Sequence, residues 1–196
     1  MKKTLIAIIT ILALLLSLTA CGGNNSGTNQ GQEEKSGVEV DKGLLDVSIS
    51  LPASMFEGQS SEEVIAGAKE KGITASVNDD GSYTYVMSKV KHNEMMSEMR
   101  EQLKTSFAEM TTDETYAEII KEIKHNDNFT DITIIVDKAK YENNLFAGMS
   151  TFACGLSGMM FNTFNGTKDP KITVNVKDAD SGEIINSVVY PDVMND

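Results

Sequence analysis

Apolar and polar positions alternate in five stretches of the chain. Leu45, Val47, Ile49 and Leu51 alternate with Asp46, Ser48 and Ser50, so this stretch reads as a half-buried strand that Pro52 ends. Ile73, Ala75 and Val77 alternate up to the turn Asn78-Asp79-Asp80-Gly81, and Tyr83, Tyr85 and Met87 alternate on the return, which predicts a hairpin. Ile132, Ile134 and Val136 predict a further strand. The apolar Ile135 on its other face points to a central position. A second hairpin runs from Ile172, Val174 and Val176 through Asp178–Gly182 to Ile184–Tyr190, and Pro191 stops it.

Between these strands the apolar spacing changes to three and four. Ser60 and Glu63 form a capping-box pattern ahead of Val64, Ile65 and Ala68, and Gly72 sits where a helix C-terminus favours glycine. Lys89 to His125 reads as mainly helical, with Met96, Met99, Leu103, Phe107 and Met110 on one face. A second capping pattern at Thr111–Glu114 predicts a break, then a further helix carrying Tyr116, Ile119, Ile120 and Ile123. From Asn143 to Thr167 there is no charged residue. Leu145, Met149, Phe152, Leu156, Met160 and Phe164 form a bulky stripe there, beside a small stripe of Gly148, Thr151, Gly155 and Gly158, as in a buried helix packed on two sides. A membrane-spanning helix is the alternative, but Gly, Ser and Thr dilute its hydrophobicity. The order of elements predicts an α+β fold: a single domain over residues 44–196, with a mostly antiparallel sheet of about six strands and helices packed mainly on one face. No internal repeat is evident.

Ahead of this domain the pattern is of another kind. Lys2-Lys3 precede an apolar run from Leu5 to Leu18, which ends in Leu18-Thr19-Ala20-Cys21. The basic start and short apolar run have the layout of a secretory signal over residues 1–20. Leu5 to Ala20 is 16 residues, short of the roughly 20 that a span needs. The small residues before Cys21 resemble the lipobox of bacterial lipoproteins. That resemblance implies cleavage between Ala20 and Cys21, and a diacylglyceryl group on Cys21 that attaches the mature chain to the outer face of the cell membrane. Two acyl chains suffice for stable anchoring where one is marginal. Residues 21–43 then read as a flexible tether, since Gly22–Gln32 holds nothing able to seed a core. Ser157–Met160 and the Val189-Tyr190-Pro191 ending, with the lipobox and the acidic domain, also resemble small lipoproteins of Gram-positive anaerobes. That likeness brings no activity and no site residues.

Charge narrows the partners. The formal net charge of −12 falls to −14 once Lys2 and Lys3 are lost. Such a surface disfavours phosphate backbones and anionic headgroups, so nucleic acid is not an expected partner. With Cys21 assigned to lipid, Cys154 has no cysteine left to pair with and reads as a buried small hydrophobe.

The chain carries no nucleophile elbow, zincin motif, phosphate-binding glycine loop or Cys-x-x-Cys. No catalytic residue and no cofactor is assigned. His92, Met95, Met96 and Met99 fall at helical spacing, and imidazole with thioethers suits Cu(I). The plainer reading puts Met96 and Met99 in the core and leaves His92 solvated. His125 reads as the end of the following helix. Asp79 and Asp80 lack the ligand ladder of a calcium loop. Asn128-Phe129-Thr130 and Asn165-Gly166-Thr167 read as turn residues. The expected function is a lipid-anchored extracytoplasmic module that binds an envelope protein, a peptide or a glycan. The alternatives are a solute- or metal-binding lipoprotein associated with transport, and an envelope hydrolase whose carboxylates meet only in three dimensions.

Overall fold

The structure is a computed structural model that describes residues 37–144 and 147–194. The signal segment, Ala20, Cys21 and Leu145 lie outside the described residues. The described chain divides into two compact units, one comprising Gly37 and Ser50–Tyr85, the other Val38–Ile49 and Val86 onward.

In chain order the elements are β1 (Glu39–Lys42), β2 (Asp46–Leu51), a 3-10 turn (Ala53–Phe56), α1 (Ser61–Glu70), β3 (Thr74–Val77) and β4 (Tyr83–Ser88). Then come α2 (Lys89–Met110), β5 (Ile120–His125), β6 (Asp131–Val136), α3 (Lys138–Glu142), α4 (Ala147–Phe164), β7 (Ile172–Asp178), β8 (Ile184–Tyr190) and a 3-10 turn (Asp192–Met194). The fold is α+β, but the strands form two four-stranded sheets rather than one sheet of six. Their orders are β1-β2-β4-β3 and β5-β6-β7-β8. In the second sheet β5–β6 and β7–β8 are antiparallel, while β6–β7 is parallel. A parallel pair needs a long crossover, and α3 and α4 supply it.

In the first unit the local signals act as their chemistry predicts. Ser60 Oγ accepts from Glu63 N, and Glu63 Oε2 accepts from Ser60 N at 2.8 Å, which completes the capping box of α1. The helix ends with Gly72 at φ 73°. The β3–β4 turn has Gly81 at φ 81°, and Asp80 Oδ1 accepts from Ser82 N and Oγ. Phe56 packs on Tyr83 at 4.6 Å between ring centroids. Ser60→Ala removes the cap acceptor and is expected to lower stability by about 1 kcal/mol, read from the urea midpoint at unchanged slope. The Ser60 backbone N–H, then its hydroxyl, hold the Glu63 carboxyl below its ordinary range. That contribution is present above the ordinary carboxylate range and is lost as pH falls through the depressed value.

The second unit holds the larger core. Ile132, Ile134 and Val136 on β6 and Ile172, Val174 and Val176 on β7 are fully buried, together with Phe129, Cys154 and Phe161. Three expectations change here. First, Ile120–His125 is a strand, not a helix. A bulge at Lys121 puts Ile120 opposite Val136 and Ile123 opposite Ile134, so a three-residue spacing serves one face of a strand. The capping pattern before it closes α2 instead of opening a helix: the Thr111 and Thr112 hydroxyls donate back to the carbonyls of Ala108 and Glu109. Second, β1 falls within the stretch read as tether.

Third, α4 is not packed on both stripes along its whole length: the bulky stripe is partly buried at Leu156, Met160 and Phe164 but open at Met149 and Phe152. On the small stripe Thr151, Gly155 and Gly158 are buried toward the sheet, with Cys154 beside them, while Gly148 is exposed. A Cβ at Gly155 would stand 2.2 Å from the Tyr190 ring, and one at Gly158 would stand 2.5 Å from the Phe129 carbonyl. On the bulky stripe Met149 is 57% exposed and Phe152 46%. The cause is where α2 crosses. His92 Nε2 meets the Phe164 carbonyl at 2.9 Å, and Arg100 lies over the Phe161 ring at 5.2 Å, so α2 covers the C-terminal turns of α4. No helix among the described residues is long and apolar enough to cross a membrane.

Candidate functional site

The residues with the clearest candidate chemistry do not form an open site. His92 lies in the first turn of α2 and is buried, not solvated as its polar flanks imply. Its Nε2 is engaged by the Phe164 carbonyl. Met96 is a core residue, and Met95 and Met99 pack partly buried against that core. His125 ends β5, not a helix. Its ring is 4.5 Å from Phe129 and 5.8 Å from Phe107, and Nδ1 is 2.9 Å from the Asn126 carbonyl. Among the described residues no three His, Cys, Asp or Glu side chains group so as to hold a metal ion.

Cys154, on a buried side of α4, is itself fully buried, and burial pushes its thiol up to about 12. A thiol held so far above neutrality is a poor nucleophile. In the folded protein the peptide bearing Cys154 is expected to stay unmodified by iodoacetamide near pH 8 and to alkylate fully in urea. Alkylation without denaturant would contradict the burial.

One open cavity of about 250 Å³ lies between the C-terminal half of α2 and β5. Phe107 and Ile123 are among its lining residues, with Lys104, Lys121 and His125 at its rim. Both lysines are already engaged: Lys104 Nζ donates to Glu101 Oε1, and Lys121 Nζ donates to the Glu118 carbonyl. Glu122, also in the lining, pairs with Lys124 at 3.3 Å.

The longest uncharged strand edge among the described residues is the outer edge of the second sheet. Among the described residues β8 has β7 on one side and no strand on the other. Edge strands present unpaired backbone donors and acceptors, and charged side chains usually guard them. At the opposite edge β5 carries Lys121, Glu122 and Lys124, with His125 at its end. In the first sheet the edge strand β1 carries Glu39, Asp41 and Lys42, while the other edge, β3, is uncharged but only four residues long. The seven residues of β8, Ile-Ile-Asn-Ser-Val-Val-Tyr, carry no charge at all. Ile184 and Val189 on it are exposed. Beside it lies α4, also uncharged throughout. The rings of Phe152 and Tyr190 are 6.3 Å apart, and Met149 sits one turn back on the same face as Phe152. Val193 and Met194, just past β8, are exposed as well.

The edge is held in place from inside. Tyr190 is buried against Gly155, and burial raises its phenol above the ordinary range, with the Thr151 hydroxyl partly offsetting it. At the other end Asp178 closes the β7–β8 turn by accepting from Ser181 Oγ at 2.7 Å and Ser181 N at 3.0 Å. Those bonds hold its carboxyl below the usual range. Lys171 and Asp192 pair beyond the strand's end. The sequence pattern identifies β8 as a strand but not as an edge. Absence of charge over Ile184–Tyr190 does not single it out as an edge, since the inner strand β4 is uncharged too. No protein-family model matches the chain, and no curated protein and no solved structure matches it.

Proposed function

We propose that the protein is a lipid-anchored extracytoplasmic module that binds a macromolecular partner outside the membrane and catalyses no reaction. The anchor rests on Lys2-Lys3, the apolar run and Leu18-Thr19-Ala20-Cys21. The observation that carries the binding role is the uncharged edge made by β8 and the first turns of α4. An apolar, charge-free stretch rimmed by polar residues marks an interaction site on a soluble surface. In this reading α2 and α4 cover one face of the second sheet and leave that edge as the contact.

The test of the anchor is detergent phase partition of the chain expressed with its own N-terminus. The wild-type chain enters the detergent-rich phase, and Cys21→Ser moves it to the aqueous phase or leaves it unprocessed at full length. Equal partition of processed wild-type and Cys21→Ser chains would overturn the lipid anchor.

A further inference from the structure

We infer that the partner of the β8 edge is a second copy of this chain, paired β8 to β8 in antiparallel order across a two-fold axis. The inference rests on the proposed binding role of that edge and names its occupant.

Charge comes first. A chain with a formal net charge of −12 repels its own copies wherever carboxylates face each other. Along β8 none does, because Ile184–Tyr190 has no charged side chain. Its β-branched residues at Ile184, Ile185, Val188 and Val189 suit a strand paired on both sides.

Geometry then explains a second feature with the same axis. Antiparallel pairing of two identical edge strands puts the two-fold axis normal to the sheet, so both copies turn the same face to the same side. On that side the α4 helix of each copy flanks the axis. Neighbouring strands are about 4.8 Å apart, which sets helices lying over β7 and β8 about 10–14 Å from their counterparts. Side chains the size of Phe and Met span that gap. Phe152, already 6.3 Å from the Tyr190 ring, and Met149 therefore close against the other copy. An extended peptide added to β8 would satisfy the strand but bring no helix to cover Met149 and Phe152. A second copy covers both.

The size requirement points the same way. Stable interfaces bury about 1,200–2,000 Å² in total. A seven-residue strand is about 23 Å long, and its backbone pairing alone falls short of that area. The helix residues supply the remainder. Anchoring both chains in one membrane by flexible tethers also raises their effective concentration, which favours a pairing too weak to persist in dilute solution.

Ser187 is exposed, and on β7 it faces Asn175, its Oγ donating to Asn175 Oδ1 at 2.8 Å. It is the middle residue of β8, so in the pair it approaches its own counterpart. The full-length lipidated chain is compared with Ser187→Lys and Ser187→Glu by sedimentation in detergent. The wild-type chain is expected to be a dimer. Each variant alone is expected to be a monomer with unchanged thermal unfolding, because like charges then face each other. An equal mixture of the two variants is expected to regain the dimer. A wild-type monomer at every concentration, or dimers that persist in both single variants, would overturn the inference. A photo-crosslinking residue placed at Ser187 in the producing cells separates the two levels. A product at twice the chain's mass supports the second copy. A product with a different chain overturns the second copy but keeps the binding role, and no product at all overturns both.

Discussion

Phe129→Ala lowers the free energy of unfolding by about 3–5 kcal/mol. Phe129 is fully buried, and its ring lies 5.0 Å from Phe161, 5.9 Å from Phe107 and 4.5 Å from His125. It joins the β5–β6 turn, α2 and α4, so its loss opens a space that none of the three can fill alone. The backbone at Phe129 has φ 53°, a conformation that L residues with side chains adopt at a cost. The Asn126 side chain holds that turn, accepting from Thr130 N and donating to Thr130 Oγ1. Glycine relieves the backbone cost that alanine keeps. Phe129→Gly is therefore expected to match Phe129→Ala or to be slightly more stable, against the usual order in ordered backbone. The check is the denaturant midpoint and slope of both variants. A loss below about 1 kcal/mol would show that the three elements do not depend on this ring.

Gly158→Ala is the second large effect, at about 1–3 kcal/mol of lost stability. By helix propensity alone alanine should win by about 1 kcal/mol. The new Cβ would lie 2.5 Å from the Phe129 carbonyl oxygen and 3.0 Å from Ile172 Cγ2. A backbone carbonyl in a held turn cannot step aside as a side-chain tip can, so α4 must lift from the sheet. Gly67 is the contrast. It lies inside α1 with nothing within 4 Å of its Cβ position. Gly67→Ala is expected to stabilise by up to about 1 kcal/mol. The same substitution in two helices thus changes sign with the surroundings of the Cβ. Two stabilising outcomes would mean that α4 is not seated on its small residues.

These two sites also show what the linear pattern does and does not carry. Signals that act within a few residues were legible: the Ser60–Glu63 box, Gly72, the Asn78–Gly81 turn and the alternation on β6 and β7. Each is a local hydrogen-bond or backbone requirement, met in the structure by the residues that announce it. Ile120 and Ile123 misled because a bulged strand and a helix share a three-residue spacing. Glu39–Lys42 misled because a short charged edge strand has the composition of a tether. The two-sided packing expected of α4 holds only toward its C-terminal end, for a deeper reason. Size alone does not say which stripe meets the sheet. That depends on how close the helix must come, and here close approach favours Gly155 and Gly158 over the bulky residues.

The candidate site was legible in the same uneven way. The strand Ile184–Tyr190 follows from the turn before it and Pro191 after it, but its place at an edge follows from strand order, which no residue in β8 encodes. The exposure of Met149 and Phe152 depends on where α2 crosses α4, and that crossing lies at Phe161 and Phe164. Conversely, the spacing of His92, Met95, Met96 and Met99 on α2 is that of residues packing toward a core, which is where Met96 lies. One periodicity serves both a ligand set and a core face, and burial separates them.

The anchor at Cys21 underlies the proposed role, and the intact mass of the chain bears on it without intermediaries. The chain is extracted in detergent from the membranes of the cells that make it, then weighed under denaturing conditions. The expected mass is that of a chain beginning at Cys21 with a diacylglyceryl group on that residue. A chain that still begins at Met1, or one that begins at Cys21 with a bare thiol, would contradict lipid anchoring.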